Sequence, residues 1–365
     1  MIKRIIHLIF LFTAWTYGQE ISPSYNFEMD YYYGSIMPHS KKIMHLITEH
    51  PEGLFLTANR QTFGEKAWQS RLNYPDYGLS FHYQNNKNPT LGDLYGLFFH
   101  YNFYFFKRNL QFRIAQGLAY NTNPYDKNNN YRNLAYGAQF MPATYFMISY
   151  DKQNIWEGLG IRAGLFLIHH SNAKLRTPNT STNTVGAKFG LSYNLDHKNE
   201  KTYLPDVFKD STYTEPFKIN LAFRGGFHES PIVGSGRYPF YNFSAYVDKR
   251  ISRSSAFQVG MDLFLSRMRK REIKMMSIVF HEKEVDPDAD YKRVGAFVGY
   301  EFFISKLSFE PQFGFYVYNK YNQDKSMYQR LTLKYYLTPK IFAGAGLLSQ
   351  FSKAEAMELS VGIRI

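Results

Sequence analysis

Apolar and polar residues alternate along much of this chain, most cleanly at its end. Met357, Leu359, Val361, Ile363 and Ile365 share one face; Glu358, Ser360, Gly362 and Arg364 share the other. A period of two marks a strand whose two faces meet different media. Similar segments, bounded by Asn, Asp, Gly, Pro or Lys, predict strands near 76–84, 92–106, 110–119, 135–150, 155–170, 184–196 and 217–228. Others follow near 236–249, 255–266, 290–304, 306–319, 327–337, 340–351 and 355–365. The fold class is therefore all-β. The expected architecture is an antiparallel transmembrane β-barrel over residues 76–365 with about 14 strands, each near the length a tilted membrane strand needs. Residues 19–75 form an N-terminal segment, either periplasmic or contributing strands; Tyr31-Tyr32-Tyr33 and a stretch near 53–60 set the range at 12 to 16 strands.

The connections test this reading. Outer-membrane barrels have short periplasmic turns and longer outside loops. With both barrel ends in the periplasm, the connections at 107–109, 151–154, 250–254, around Ser305 and at Pro339 are periplasmic and short. Those at 120–134, 171–183 and 267–289 are external and long. Only 197–216 breaks the rhythm, being long on the periplasmic side.

The first residues change the compartment. Lys3 and Arg4 precede the apolar run from Ile5 to Phe12, and Thr16 and Gly18 suit a signal-peptidase site, so residues 1–18 read as a signal peptide. No later stretch is apolar enough for a membrane-spanning helix. Cysteine is absent, so an exported chain of 365 residues needs another source of stability. A closed barrel supplies it by pairing every strand edge. Aromatics reach 18%, with 31 Tyr and 33 Phe, which suits interfacial girdles. The net charge of +13 falls to +11 when Lys3 and Arg4 leave with the signal. In an exported protein that excess faces lipid phosphates or serves solubility; nucleic acid is not an expected partner.

Candidate chemistry lies at 165–183. Period-two geometry puts His169 and Ser171 on one strand face, with Cα atoms about 6.5 Å apart. A serine needs an adjacent base to become a nucleophile, and imidazole is suited to that near neutral pH. A third group must hold the other ring nitrogen. Asn183 heads the next antiparallel strand at about the same height and can reach His169. An amide orients an imidazole without offsetting its charge as a carboxylate does. Asn172 points to the opposite face of a regular strand; turned inward at the strand end, it can donate to an oxyanion or orient the site.

His169-x-Ser171-Asn172, followed by Pro178-Asn179, resembles the signature of the lipid A 3-O-deacylase, or acyloxyacyl hydrolase, family. The resemblance implies an outer-membrane barrel that cuts an ester-linked acyl chain from lipid A of lipopolysaccharide, with no cofactor or metal. Ser171 becomes the nucleophile and His169 the base. The family's acidic residue falls twelve positions after the serine, where this chain has Asn183. The same string also resembles outer-membrane phospholipase A, in which Asn occupies that position. That family usually continues with Gly and a calcium-binding Arg, where this chain has Ala173 and Lys174. The expected function is thus a carboxylic ester hydrolase acting on lipid A, with a phospholipase and a non-enzymatic pore or structural barrel as alternatives.

Four other features stand against plain structural readings. His228-Glu229 closes strand 217–228 at the external rim, where Glu229 can supply a carboxylate or simply be solvated. Arg267, Arg269, Lys270, Arg271 and Lys274 form a basic run in the longest external loop, a grip for phosphates or a solvated stretch. Gly225-Gly226 reads as a strand kink, and Asp286, Asp288 and Asp290 alternate as an incomplete cation-ligand pattern.

Overall fold

The computed structural model describes residues 23–199, 201–206, 212–230, 232–280, 284–321, 325–351 and 353–365. The expected signal peptide lies outside these residues. Sixteen strands carry the fold. The first eight are β1 (Tyr25–Ile36), β2 (Glu52–Arg60), β3 (Asp76–Asn85), β4 (Leu94–Phe105), β5 (Leu110–Asn121), β6 (Phe140–Trp156), β7 (Leu159–His170) and β8 (Thr182–Asn194). The second eight are β9 (Lys218–Glu229), β10 (Arg237–Ser252), β11 (Ser255–Ser266), β12 (Arg293–Ile304), β13 (Leu307–Asn319), β14 (Met327–Tyr336), β15 (Ile341–Gln350) and β16 (Lys353–Arg364). Every neighbour is antiparallel. All fourteen strands expected from periodicity are present, and residues 19–75 contribute β1 and β2.

The strands close as two eight-stranded barrels, not as the single barrel expected. β8 returns to pair with β1, Leu191 opposite Met29, and β16 returns to β9, Val361 opposite Phe223. The irregular segment 197–216 is part of the connection between the two barrels, which explains its length. Hairpin rhythm is the same for one barrel or two, because periodicity does not encode which strand closes the ring.

Each chain end of a barrel lies at one rim, the turn rim; the long connections 122–139, 171–181 and 267–292 lie at the opposite loop rim, whereas 61–75, with its short helix α1 (Ala67–Arg71), is a long connection at the turn rim. The turn expected at 151–154 falls later, because β6 continues to Trp156. Glu157 and Gly158 then make a two-residue hairpin with φ of 42° and 88°, the left-handed pair such tight turns require. The expected basic loop contains a helix, α2 (Arg267–Val279), whose N-terminus is capped by Ser266 accepting the Arg269 N–H at 3.1 Å.

Polarity is inverted relative to a water-soluble protein. Leu359 and Val361 point outward and are 63% and 56% exposed, whereas Glu358 and Arg364 point into the lumen. In the first barrel Glu28 accepts from Arg113 at 2.5 Å and also pairs with Arg162, while Asp30 pairs with Arg162 at 3.2 Å and Lys188 at 2.9 Å. In the second, Arg330 bridges Asp262 at 2.8 Å and Glu358 at 2.7 Å, and Lys334 bridges Glu301 and Glu310 at 3.0 and 2.8 Å. Eight strands make an interior just wide enough for side chains to fill. Buried charges persist there because each is paired.

Glu28 serves two guanidinium groups. Glu28→Gln should destabilise the first barrel by about 3–5 kcal/mol, the usual cost of breaking a buried pair. The second barrel, with its own ion pairs, should unfold at its original midpoint. Urea titration in detergent micelles checks this; an unmoved first transition would contradict it.

Candidate active site

β7 sets the parity of the site. Phe166, Ile168 and His170 point into the lumen, so Leu165, Leu167 and His169 point outward. β7 ends at His170, and His169 therefore sits at the loop rim above an apolar outer wall. Thr144 of β6 and Asn183 of β8 stand directly opposite it on the two sides. His169 Nδ1 lies 2.7 Å from Asn183 Oδ1. When Nδ1–H donates to that oxygen, Nε2 is left unprotonated, the tautomer a general base needs. The adjacent His170 is fully buried and stacks on His82 with ring centres 5.8 Å apart, so it belongs to the lumen.

Ser171 lies just past the end of β7 and is 7% exposed. Its Oγ accepts from Asn179 Nδ2 at 2.9 Å and from the Ala173 N–H at 3.2 Å. No hydrogen bond joins Ser171 to His169 in this conformation; Asn179 holds the hydroxyl instead. Catalytic hydrogen bonds are often loose without substrate and tighten when it binds.

The loop after Ser171 is tightly bent. Ala173 and Lys174 have φ of 50° and 61°, successive left-handed residues at about 1–2 kcal/mol each. Local bonds offset that strain. Asn172 is 1% exposed, and its Nδ2 donates to Arg176 O at 2.7 Å. Its own N–H donates to Asn179 Oδ1 at 3.0 Å. Asn172 thus orients the loop, and neither donor faces a free space. Farther on, the Thr180 N–H donates to Leu134 O at 3.0 Å, and Tyr136 Oη lies 2.6 Å from Thr182 Oγ1.

Sequence similarity divides along the same lines as the fold. A family model described as Lipid A 3-O-deacylase (PagL) matches residues 52–192, from β2 to β8. A second, described as Acyloxyacyl hydrolase, C-terminal domain, matches residues 217–365, the whole second barrel. The chain belongs to the lipid A 3-O-deacylase and acyloxyacyl hydrolase family. No curated protein matches it. Among solved structures, two mutants of the Rhodopseudomonas blastica porin align over 94% of this chain and 100% of their own, at 8% and 9% identity. Their TM-scores are 0.21 and 0.19.

Within this family member, the structure brings His169 and Asn183 together on the outer face at the loop rim and leaves Ser171 just past the end of β7, bonded to Asn179 and Ala173. It separates the other candidates from them. His228 points into the second lumen, 2% exposed, with Nε2 2.8 Å from Ser266 Oγ. Glu229 does not approach His169. The Asp286 and Asp290 carboxylates accept the N–H groups of Asp288 and Lys292. Asn179 was visible in the motif, but its contact with Ser171 depends on a loop conformation that strand parity does not specify.

The His169–Asn183 contact generates a prediction. Asn183→Ala should lower kcat for acyl release by about 10²-fold, within the range that a positioned base contributes, with KM little changed. Asn183→Asp should retain activity, because a carboxylate oxygen accepts the same N–H. Steady-state kinetics on purified lipid A measure both.

Proposed function

We propose that this protein is an outer-membrane serine esterase that removes an ester-linked acyl chain from lipid A, with Ser171 as nucleophile, His169 as base and Asn183 orienting the base. The observation that carries the reading is the 2.7 Å bond between His169 Nδ1 and Asn183 Oδ1, outward-facing at the loop rim with Ser171 two residues beyond. Family membership supports lipid A as substrate. The exposed outer walls and charge-filled lumens support residence in a bilayer. An outward site meets its substrate directly in the membrane leaflet.

Ser171 Oγ attacks the ester carbonyl carbon while its proton passes to His169 Nε2. The carbonyl electron pair moves to oxygen. When Ser171 turns towards His169, it releases the Ala173 N–H and Asn179 Nδ2, two donors placed to receive that oxyanion. The tetrahedral species collapses, the sugar oxygen leaves with the proton from His169, and an acyl-enzyme remains. Water, deprotonated by His169, then frees the fatty acid and restores Ser171. Asn183 keeps the imidazole aligned through both steps. The phospholipase reading draws on the same Asn183 contact and differs only in substrate. The filled lumens give a pore no support.

Ser171→Ala should reduce acyl release by at least about 10³-fold while both barrels remain folded. Mass spectrometry of products from lipid A and from glycerophospholipid, each incubated with the purified protein, reads the loss and identifies the substrate. Undiminished release by the variant would remove the proposal.

A further inference from the structure

The loop that carries Ser171 is tied to the other barrel. The Thr177 N–H donates to Glu229 Oε2 at 2.6 Å, and Thr177 Oγ1 donates to Ser230 O at 2.7 Å. In return the Glu229 N–H donates to Lys174 O at 3.0 Å. These three bonds span the end of β9 and the stretch 174–177. Glu229 and Ser230 are 6% and 3% exposed, so water competes weakly for them. Leu165 of β7 is 67% exposed, and Phe227, two residues before Glu229, is 57% exposed.

The position of the tie matters. Lys174 is one of the two left-handed residues that turn the chain away behind Ser171, and its carbonyl is the one Glu229 holds. Thr177 lies between Arg176, whose carbonyl anchors Asn172, and the Pro178-Asn179 pair that contacts Ser171. The first barrel holds the far part of the loop through Leu134 and Ala135, which accept from Thr180 and Ser181 at 3.0 and 3.1 Å. Among the described residues Thr177 makes no other hydrogen bond. We propose that the second barrel is a brace for the active site of the first, and that Glu229 is a positioning residue fixing the loop through Thr177. The inference rests on the esterase reading and adds a task for the second barrel. A carboxylate accepting a backbone N–H makes a charge-assisted bond, and it acts on Ser171 only through the loop.

The test uses the full chain in detergent with lipid A. Glu229→Ala should lower kcat by about 10- to 100-fold, as expected when a nucleophile is displaced by a fraction of an ångström, with KM within about 2-fold. Glu229→Gln should recover to within about 3-fold of the parent, since its amide oxygen accepts the same N–H. Thr177→Val, a change that spares both barrels, should lose about 5-fold by breaking the bond to Ser230. Labelling of Ser171 by a fluorophosphonate should slow in the same order, and an unchanged shift in electrophoretic mobility on heating should show the barrels intact. Folded Glu229→Ala with parental kcat and labelling would overturn the brace, as would equal impairment of the Ala and Gln variants. If Glu229→Ala does not fold, parental kcat in Thr177→Val overturns it. Retained activity in Ser171→Ala would instead strike the esterase reading, so the two failures are distinguishable.

Discussion

Pairing of charge inside a narrow closed sheet is the constraint on which this molecule depends. Arg113, Arg162 and Lys188 are taken from water in the first barrel, and Glu28 and Asp30 go with them. An isolated ion there would cost far more than the few kcal/mol that keep a domain folded. Once the lumen is committed to ions, strand alternation leaves only apolar residues for the outer wall. The apolar outer belt and the choice of side for every residue in β7 follow from that commitment.

The site uses one break in this rule. Outward positions on β7 are apolar until the rim, where His169 replaces the series Leu165, Leu167. Its partner Asn183 occupies the matching outward position on β8, so strand register alone brings imidazole and amide together. Ser171 is different: it lies past the last paired residue and owes its place to a strained turn and the Asn179 amide. The rigid sheet fixes the proposed base, and a bent loop fixes the proposed nucleophile.

Much of this was legible in the sequence because a period of two reports on both faces at once. The strands at 255–266 and 355–365, the outward face of His169 and the reach of Asn183 all follow from alternation and hairpin geometry. Closure did not, since Met29 meeting Leu191 is a contact across the entire first barrel that no local pattern records. The helix at 267–279 was hidden because its basic residues mask the buried Met268, Ile273 and Met276. Glu229 was noticed as a rim carboxylate, but its contact with Thr177 spans 52 positions and two barrels. Such pairings depend on how two closed bodies meet, which composition and periodicity do not express.

The neighbouring histidines of β7 carry a consequence for how this strand can vary. His169 looks out to the membrane rim, and His170 looks in towards His82. Deleting one residue between Leu159 and Arg162 would exchange the two imidazoles while also turning Arg162 out of the lumen. The length of β7 is therefore locked in steps of two.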